Sequence, residues 1–245
     1  IKSALFPFHT WVPDAYAYST PTSAAVLSSL VSKGYIFLLM KIMYRVIGLD
    51  VIVSTGIQDV LFVFALVGMV MGSISAIRQT DIRRMIAFSS VAQIGYVFMG
   101  IGLGTDEGMM AATFHIFSHA VCKSMLFLAA GGLADASNNS KKFRDLRGAG
   151  FRSPIAGVAF TIGALSMVGF PFLGGFASKL NFALAAMDVG GARTMLVLIT
   201  LAISTWLNTL YFLRTVITLY RKPVPGAVYL SLIHISEPTR HAQIS

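Results

Sequence analysis

The residues of this chain best suited to chemistry are His115, His119 and Lys123. They lie in the stretch His115-Ile116-Phe117-Ser118-His119-Ala120-Val121-Cys122-Lys123. Two imidazoles and an ammonium recur at intervals of four. On a helix they fall one turn apart on nearly one face, drifting about 40° per step. The surrounding run, from about Gly108 to Ala134, is mostly apolar. If it crosses a bilayer, three titratable groups sit at hydrocarbon depth, where charge is expensive and usually functional. Imidazole titrates near neutral pH. Taking an ammonium out of water disfavours its charged form. A row of such groups, bridged by water and hydroxyls, can hand protons along the membrane plane.

Three more lysines extend the set: Lys2, Lys33 and Lys179. Lys33 is far from either end of its apolar run, so it cannot easily snorkel to an interface, as Lys41 and Arg45 can. Ser28, Ser29, Ser32, Ser118 and Ser124 are candidate hydroxyls or water holders, although each taken singly reads as a helix-packing contact. Metal binding by His-x-x-x-His is disfavoured. No Glu follows in the His-Glu-x-x-His manner, no third carboxylate is near, and Cys122 is off the face. No Gly-rich phosphate loop, CxxC pair or haem-like ligand pattern is present, so no cofactor is expected.

The elements that must position these groups follow from composition. Hydrophobic residues make up 56% of the chain, charged residues only 12%, and mean hydropathy is +0.74. Soluble domains carry about a quarter charged residues, so the expectation is an all-α integral membrane protein. The net charge of +9 does not point to nucleic acid, because the basic residues sit in links and span ends with no aromatic-basic platform. Cys122 alone gives no disulfide framework.

Taken in order, residues 1–8 read as the tail of a helix closed by Pro7, so the chain is expected to lack an N-terminal part. Residues 9–20 form a turn-rich link. Complete spans are predicted over Pro21 to about Ile47, starting at the cap-and-proline pair Thr20-Pro21, Asp50 to about Ile77, Met85 to Gly104, and Gly108 to Ala134. Residues 154–187 are too many for one straight span and too few for two. Their middle, Gly169-Phe170-Pro171-Phe172-Leu173-Gly174-Gly175-Phe176, predicts one discontinuous span with Lys179 a turn beyond the break; a pair of short spans is the alternative. Arg193 to about Tyr220 is the last span. This makes about six complete spans plus the helix tail. Phe6-Pro7-Phe8 echoes Phe170-Pro171-Phe172, and such paired breaks mark transport sites in repeat-built carriers.

With 154–187 counted as one crossing, the links 78–84, 135–153 and 221–222 share one side and hold the basic residues Arg78, Arg83, Arg84, Lys141, Lys142, Arg144, Arg147, Arg152, Arg221 and Lys222. Links 104–108 and 188–192 carry none. The positive-inside rule puts the basic links in the cytoplasm of a cell inner (plasma) membrane. Residues 223–245 lack the length and apolarity of a span. They read as a non-membrane tail, resembling translated sequencing-adapter read-through or an ordinary cytoplasmic tail.

Several blocks together resemble a known family. They are Lys2-Ser3-Ala4, Phe6 to Trp11, Pro13-Asp14-Ala15, Pro21-Thr22 and Lys33; Thr80 to Ser90 with Gln93 to Tyr96; His115-x3-His119-x3-Lys123-x2-Leu126-Phe127-Leu128; and Gly175-Phe176-x2-Lys179. In this order, across residues 1–222, they resemble the antiporter-like membrane subunits of respiratory complex I, Mrp-type Na+/H+ antiporters and energy-converting membrane hydrogenases. The resemblance implies the C-terminal part of a fourteen-helix inverted-repeat fold, entered in its seventh helix and left at its thirteenth. It implies that Lys2 is the central lysine of the first half-channel and Lys33 the connecting lysine. His115, His119 and Lys123 would be the eleventh-helix relay, and Lys179 the exit residue. It also resolves 154–187 in favour of one broken span.

The expected function is proton, or Na+/H+, translocation through a buried Lys/His relay. The partners would be other membrane subunits, the lipid bilayer, protons and sodium. The chain would be a non-redox ion-translocating subunit. The alternative is a structural scaffold subunit whose buried charges pair with neighbours and conduct nothing. Departures from the family pattern are Arg83, where Lys is frequent, and Lys179, where some members carry Glu. The fifth-helix glutamate that partners Lys2 in the family is not within this chain.

Overall fold

The computed structural model describes residues 3–223, and nearly all of them are helical. Residues 3–11 form turns that lead into α1 (Val12–Tyr18). A continuous rod, Pro21–Ile47, follows. It comprises α2 (Pro21–Val26) and α3 (Ser32–Lys41), each followed by a π-helical turn, Leu27–Val31 and Ile42–Ile47. Then come α4 (Leu49–Thr55), α5 (Ile57–Ile77), α6 (Ile82–Gly102) and α7 (Asp106–Asp135). The chain continues through α8 (Ala149–Arg152), α9 (Pro154–Val168), α10 (Gly174–Val189) and α11 (Gly191–Leu219).

Among the described residues, five helices are long and apolar enough to cross a membrane: the rod Pro21–Ile47, α5, α6, α7 and α11. Their starts are chemically marked. Thr20 caps α2 ahead of Pro21 by accepting from the Ser23 N–H. Asp81 caps α6 by accepting from the N–H groups of Arg83 and Arg84 at 2.8 and 3.0 Å. Thr105 caps α7, whose first turn carries Asp106 and Glu107, the sign that the positive end of the helix dipole favours. Helix α6 is buried along almost its whole length and packs against α1, α5, α7 and α11, so it is the centre of the bundle.

Helices α9 and α10 form one broken crossing. With 15 and 16 residues, neither reaches across a core of about 30 Å alone. Their order against α7 decides the matter. Ala156 lies against Gly132, Gly163 against Leu126 and Gly174 against Ser118, while Asp188 shares a cavity with Asp106. The pair therefore runs end to end along the full length of α7, with its break at mid-depth. Glycine is required there. A Cβ at Gly175 would sit 1.7 Å from the Ser166 carbonyl oxygen. Phe6 likewise packs on Gly68, near the middle of α5, where a Cβ would come within 3.1 Å of it. Both aromatic-Pro-aromatic segments thus lie at the middle of a neighbouring helix.

The basic links gather at one end of the bundle. Ile82 N–H donates to the Lys141 carbonyl at 2.9 Å, and Phe143 N–H to the Thr80 carbonyl at 3.0 Å. Arg214, near the end of α11, donates to the Ile77 carbonyl and covers the Phe143 ring. At the opposite end Arg193 pairs with Asp59, and the Tyr44 hydroxyl reaches the Thr105 carbonyl.

Three expectations change. Residues 3–8 are turns rather than a helix tail: Ala4 has φ 57°, a left-handed conformation that ends a helix, and Pro7 has no N–H to continue one. The predicted link 9–20 holds a two-turn helix, α1, with Pro13 in its first turn. The span predicted from Asp50 is divided at Gly56, whose φ of 68° closes α4 before α5 begins. Lys2 and the tail beyond Pro223 lie outside the described residues.

Candidate functional site

Each of the three described amines, Lys33 and Lys123 buried and Lys179 half-buried, is held by oxygen atoms that a local irregularity or a neighbouring hydroxyl supplies. Lys33 is 4% exposed and follows the π-helical turn Leu27–Val31. Its Nζ donates to the Ser28 carbonyl, within that turn, at 2.5 Å. Such turns recur at functional positions because they shift the backbone ladder out of register. Lys123 is fully buried on α7; its Nζ donates to the Ile86 carbonyl of α6 at 3.0 Å and to the Ser89 hydroxyl.

Lys179 uses the helix break directly. Gly169 closes α9 with φ 97°, and the N–H groups of Gly169 and Phe170 take the Leu165 and Ser166 carbonyls. The last carbonyls of α9 remain, and Lys179 Nζ donates to them, to Val168 at 2.6 Å and Met167 at 3.2 Å. Those carbonyls carry the negative end of the α9 dipole, which suits a cation. Lys179 also borders a recess of about 470 Å³ between α10 and α11, which opens on the lateral surface.

The two histidines stand on the same helix as Lys123. Their rings stack, with centroids 5.7 Å apart. His115 stacks on its other side with Tyr96 at 5.4 Å, and its Nδ1 lies 2.6 Å from the Ser178 hydroxyl, one residue before Lys179. Lys179 Nζ lies 5.9 Å from the Tyr96 ring centroid. His119 is 2% exposed, and neither ring nitrogen has a hydrogen-bond partner among the described residues. Lys33 is within electrostatic range of His115, His119 and Lys123, and Lys179 of His115. The sequence-selected residues Lys33, His115, His119, Lys123 and Lys179 are therefore each brought within electrostatic range of another of the set, with direct contact shown only between His115 and His119. No described carboxylate is near them: the described acidic residues stand in links, short helices and helix-end turns, and the described ion pairs are Arg84–Asp14 and Arg193–Asp59.

Further polar groups join this line without having been singled out by spacing. Tyr211 on α11 donates to Asn208 Oδ1 at 2.6 Å, and Ser73 on α5 reaches the same oxygen at 3.3 Å. Tyr211 also interacts with Ser89, the hydroxyl that Lys123 uses. Buried Gln93 Nε2 and Asn208 Nδ2 lack partners among the described residues, as does His119. Buried unpaired polar atoms clustered between helices are where ordered waters sit. The available signal was an amide inside an apolar span, Asn208, which is costly unless it is paired. Of the predicted hydroxyls, Ser28, Ser29 and Ser124 bond carbonyls of their own helices, as packing serines do. Ser32 pairs with Tyr16. Cys122 points away from the line, to Ser166.

Fold and site define a multi-pass membrane protein built around a buried row of amines and imidazoles. A family model described as "NADH:quinone oxidoreductase/Mrp antiporter, TM" matches residues 1–205, and the chain belongs to that family. "NADH-quinone oxidoreductase subunit N" of Desulforudis audaxviator is 38% identical over 229 residues, covering 93% of this chain and 45% of that protein. A Staphylococcus saprophyticus chain named for antiporter subunit mnhA2 is 38% identical over 195 residues, 74% of this chain and 24% of its own length. Among solved structures, a chain of an archaeal respiratory membrane complex, the membrane-bound sulfane sulfur reductase, aligns with TM-score 0.79 and 30% identity over 91% of this chain and 46% of that one. A chain of the Mrp complex from a Dietzia species aligns with TM-score 0.77 and 27% identity over 92% and 41%. This chain spans less than half the length of each of these proteins.

Proposed function

We propose that this chain is part of a proton-translocating subunit of a multi-subunit complex in the inner (plasma) membrane, and that Lys33, His115, His119, Lys123 and Lys179 carry the proton, with Lys2 at the head of the line. One observation carries the reading. Lys33 and Lys123 are buried, and Lys179 half-buried, on neutral carbonyl and hydroxyl oxygens, with no described carboxylate to pair them. A scaffold that used buried charge for cohesion would need counter-charges, because unpaired burial costs several kcal/mol per ion.

A proton reaching Lys33 repels charge on the groups around it and moves the next proton on. His119 accepts on one ring nitrogen and releases from the other through bridging water. His115 passes its proton through the Nδ1–Ser178 contact toward Lys179, which hands it to the next water or basic group on the exit path. Lys123 exchanges with the same chain through Ser89 and Tyr211. Conformational or charge events in partner subunits set the direction. Exchange against sodium is the companion form of the same activity, separated by driving the vesicles with a sodium gradient alone.

The test is transport by the complete chain in its assembled complex, in sealed vesicles, with Lys123→Ala or Lys179→Ala. Loss of proton movement with assembly retained supports the relay. Unchanged transport sinks it, and loss of assembly with normal transport by whatever complex remains favours the scaffold.

A further inference from the structure

The basic end of the bundle holds a cavity of about 540 Å³ into which five cations converge: Lys142, Arg144 and Arg147 from the link after α7, and Arg214 and Arg221 from the end of α11. No acidic residue lines it among the described residues. The two acids nearest in sequence are engaged elsewhere. Asp81 accepts from the N–H groups capping α6, and Asp145 Oδ2 accepts from the Ser140 hydroxyl at 2.6 Å. None of the five cations forms an ion pair among the described residues. Arg214 is fixed in place, its guanidinium 5.3 Å from the Phe143 ring centroid and bonded to the Ile77 carbonyl at 3.2 Å. Guanidinium groups present planar donor pairs that match phosphate oxygens.

A second feature says what the anion is attached to. Phe143 gives the cavity apolar lining, as does Ile217. From it an exposed stripe runs along α11 toward mid-depth: Ile217, Leu213, Leu210, Trp206 and Ile203. The intervals alternate four and three, so these side chains form one helix face. A cationic cavity at the membrane surface continuous with an apolar track suits a charged headgroup carrying acyl chains. Basic pockets at the ends of membrane helices are the usual place for such lipids.

We propose that this cavity is a binding site for the phosphate headgroup of an anionic phospholipid, whose acyl chain lies on the α11 stripe. It rests on this end being interfacial and does not draw on the proton relay, so either can fail without the other.

The test uses the complete chain in its assembled complex, in phosphatidylcholine nanodiscs, titrated with fluorescently labelled phosphatidylglycerol. Arg144→Gln/Arg147→Gln/Arg221→Gln should weaken binding by about fivefold per charge, and so by about 100-fold in all. Arg78→Gln, an exposed cation of the same end outside the cavity, should leave binding unchanged. If the triple variant does not assemble, Arg144→Gln alone should still weaken binding about fivefold. Equal binding by wild type and variants overturns the proposal, as does equal affinity for labelled phosphatidylcholine. Inorganic phosphate that displaces the lipid at equal affinity overturns the lipid assignment in favour of a free-anion site. A probe excluded even from the wild-type complex means that a partner protein covers the cavity, and also overturns it.

Discussion

Replacing Lys123 by methionine separates a relay residue from a structural one. The Nζ makes hydrogen bonds to the Ile86 carbonyl and the Ser89 hydroxyl. Bonds from a charged donor are worth about 1.5–3 kcal/mol each on removal. Against this stands the cost of keeping an ion out of water, still several kcal/mol after relaxation. Neither acceptor is orphaned by the change, because the Ile86 carbonyl also accepts from Ser89 Oγ at 2.8 Å and Ser90 Oγ at 3.2 Å. Methionine fills nearly the same volume and suits the neighbouring Phe212 ring, 5.9 Å from the Nζ. The opposing terms nearly cancel, so stability should change by no more than about 2 kcal/mol, in either direction. Transport should respond quite differently. A positioned proton-transfer group contributes about 10²–10⁴-fold, so flux should fall at least about 100-fold. Flux would be read by a pH-sensitive dye trapped in vesicles, and assembly by native gel on the same preparation. A Lys123→Met complex that assembles and pumps at the wild-type rate refutes the relay. One that does not assemble refutes the claim that this amine is structurally dispensable.

Three smaller predictions use the same preparations. Tyr211→Phe removes the hydroxyl on Asn208 Oδ1, worth about 1 kcal/mol; flux should fall about fivefold, and unchanged flux would remove Tyr211 from the path. Gly175→Val should prevent assembly, because its Cβ would overlap the Ser166 carbonyl, whereas Gly34→Ala, with nothing within 4 Å of the added atom, should assemble normally on the same native gel. Asp59→Asn breaks an ion pair whose side chains are 33% and 55% exposed, so thermal stability should change by less than about 1 kcal/mol and flux not at all.

The spans were legible because apolar runs of the right length alternate with polar links; 154–187 stays open between one broken span and two short ones until the family resemblance favours one crossing. The broken helix was legible from Pro171, which has no N–H to continue a helix, and from the Gly174-Gly175 pair beside it, which weakens one. The division at Gly56 was not, since one glycine between Ile52, Val53 and Ile57 leaves the apolar pattern intact. Nor was the turn at Ala4, because alanine carries no sign that its φ will be positive. Lys33, His115, His119, Lys123 and Lys179 were legible by chemistry, as ionisable groups in apolar surroundings. Their partners were not. Ser178 faces His115 across 63 positions, and Tyr211 joins Asn208 and Ser89 through helix packing that no local pattern encodes. The acceptors of Lys33 and Lys179 are backbone carbonyls released by a π turn and a helix end, and a carbonyl has no residue type to read.

The most direct test of the account is proton flux with Lys33, Lys123 and Lys179 all replaced by methionine and both histidines kept. The complete chain, in its assembled complex, would be sealed into vesicles with a trapped pH dye, with assembly checked in the same sample. The account predicts an assembled complex whose proton flux falls to the leak of protein-free vesicles. Wild-type flux from that triple variant would contradict it.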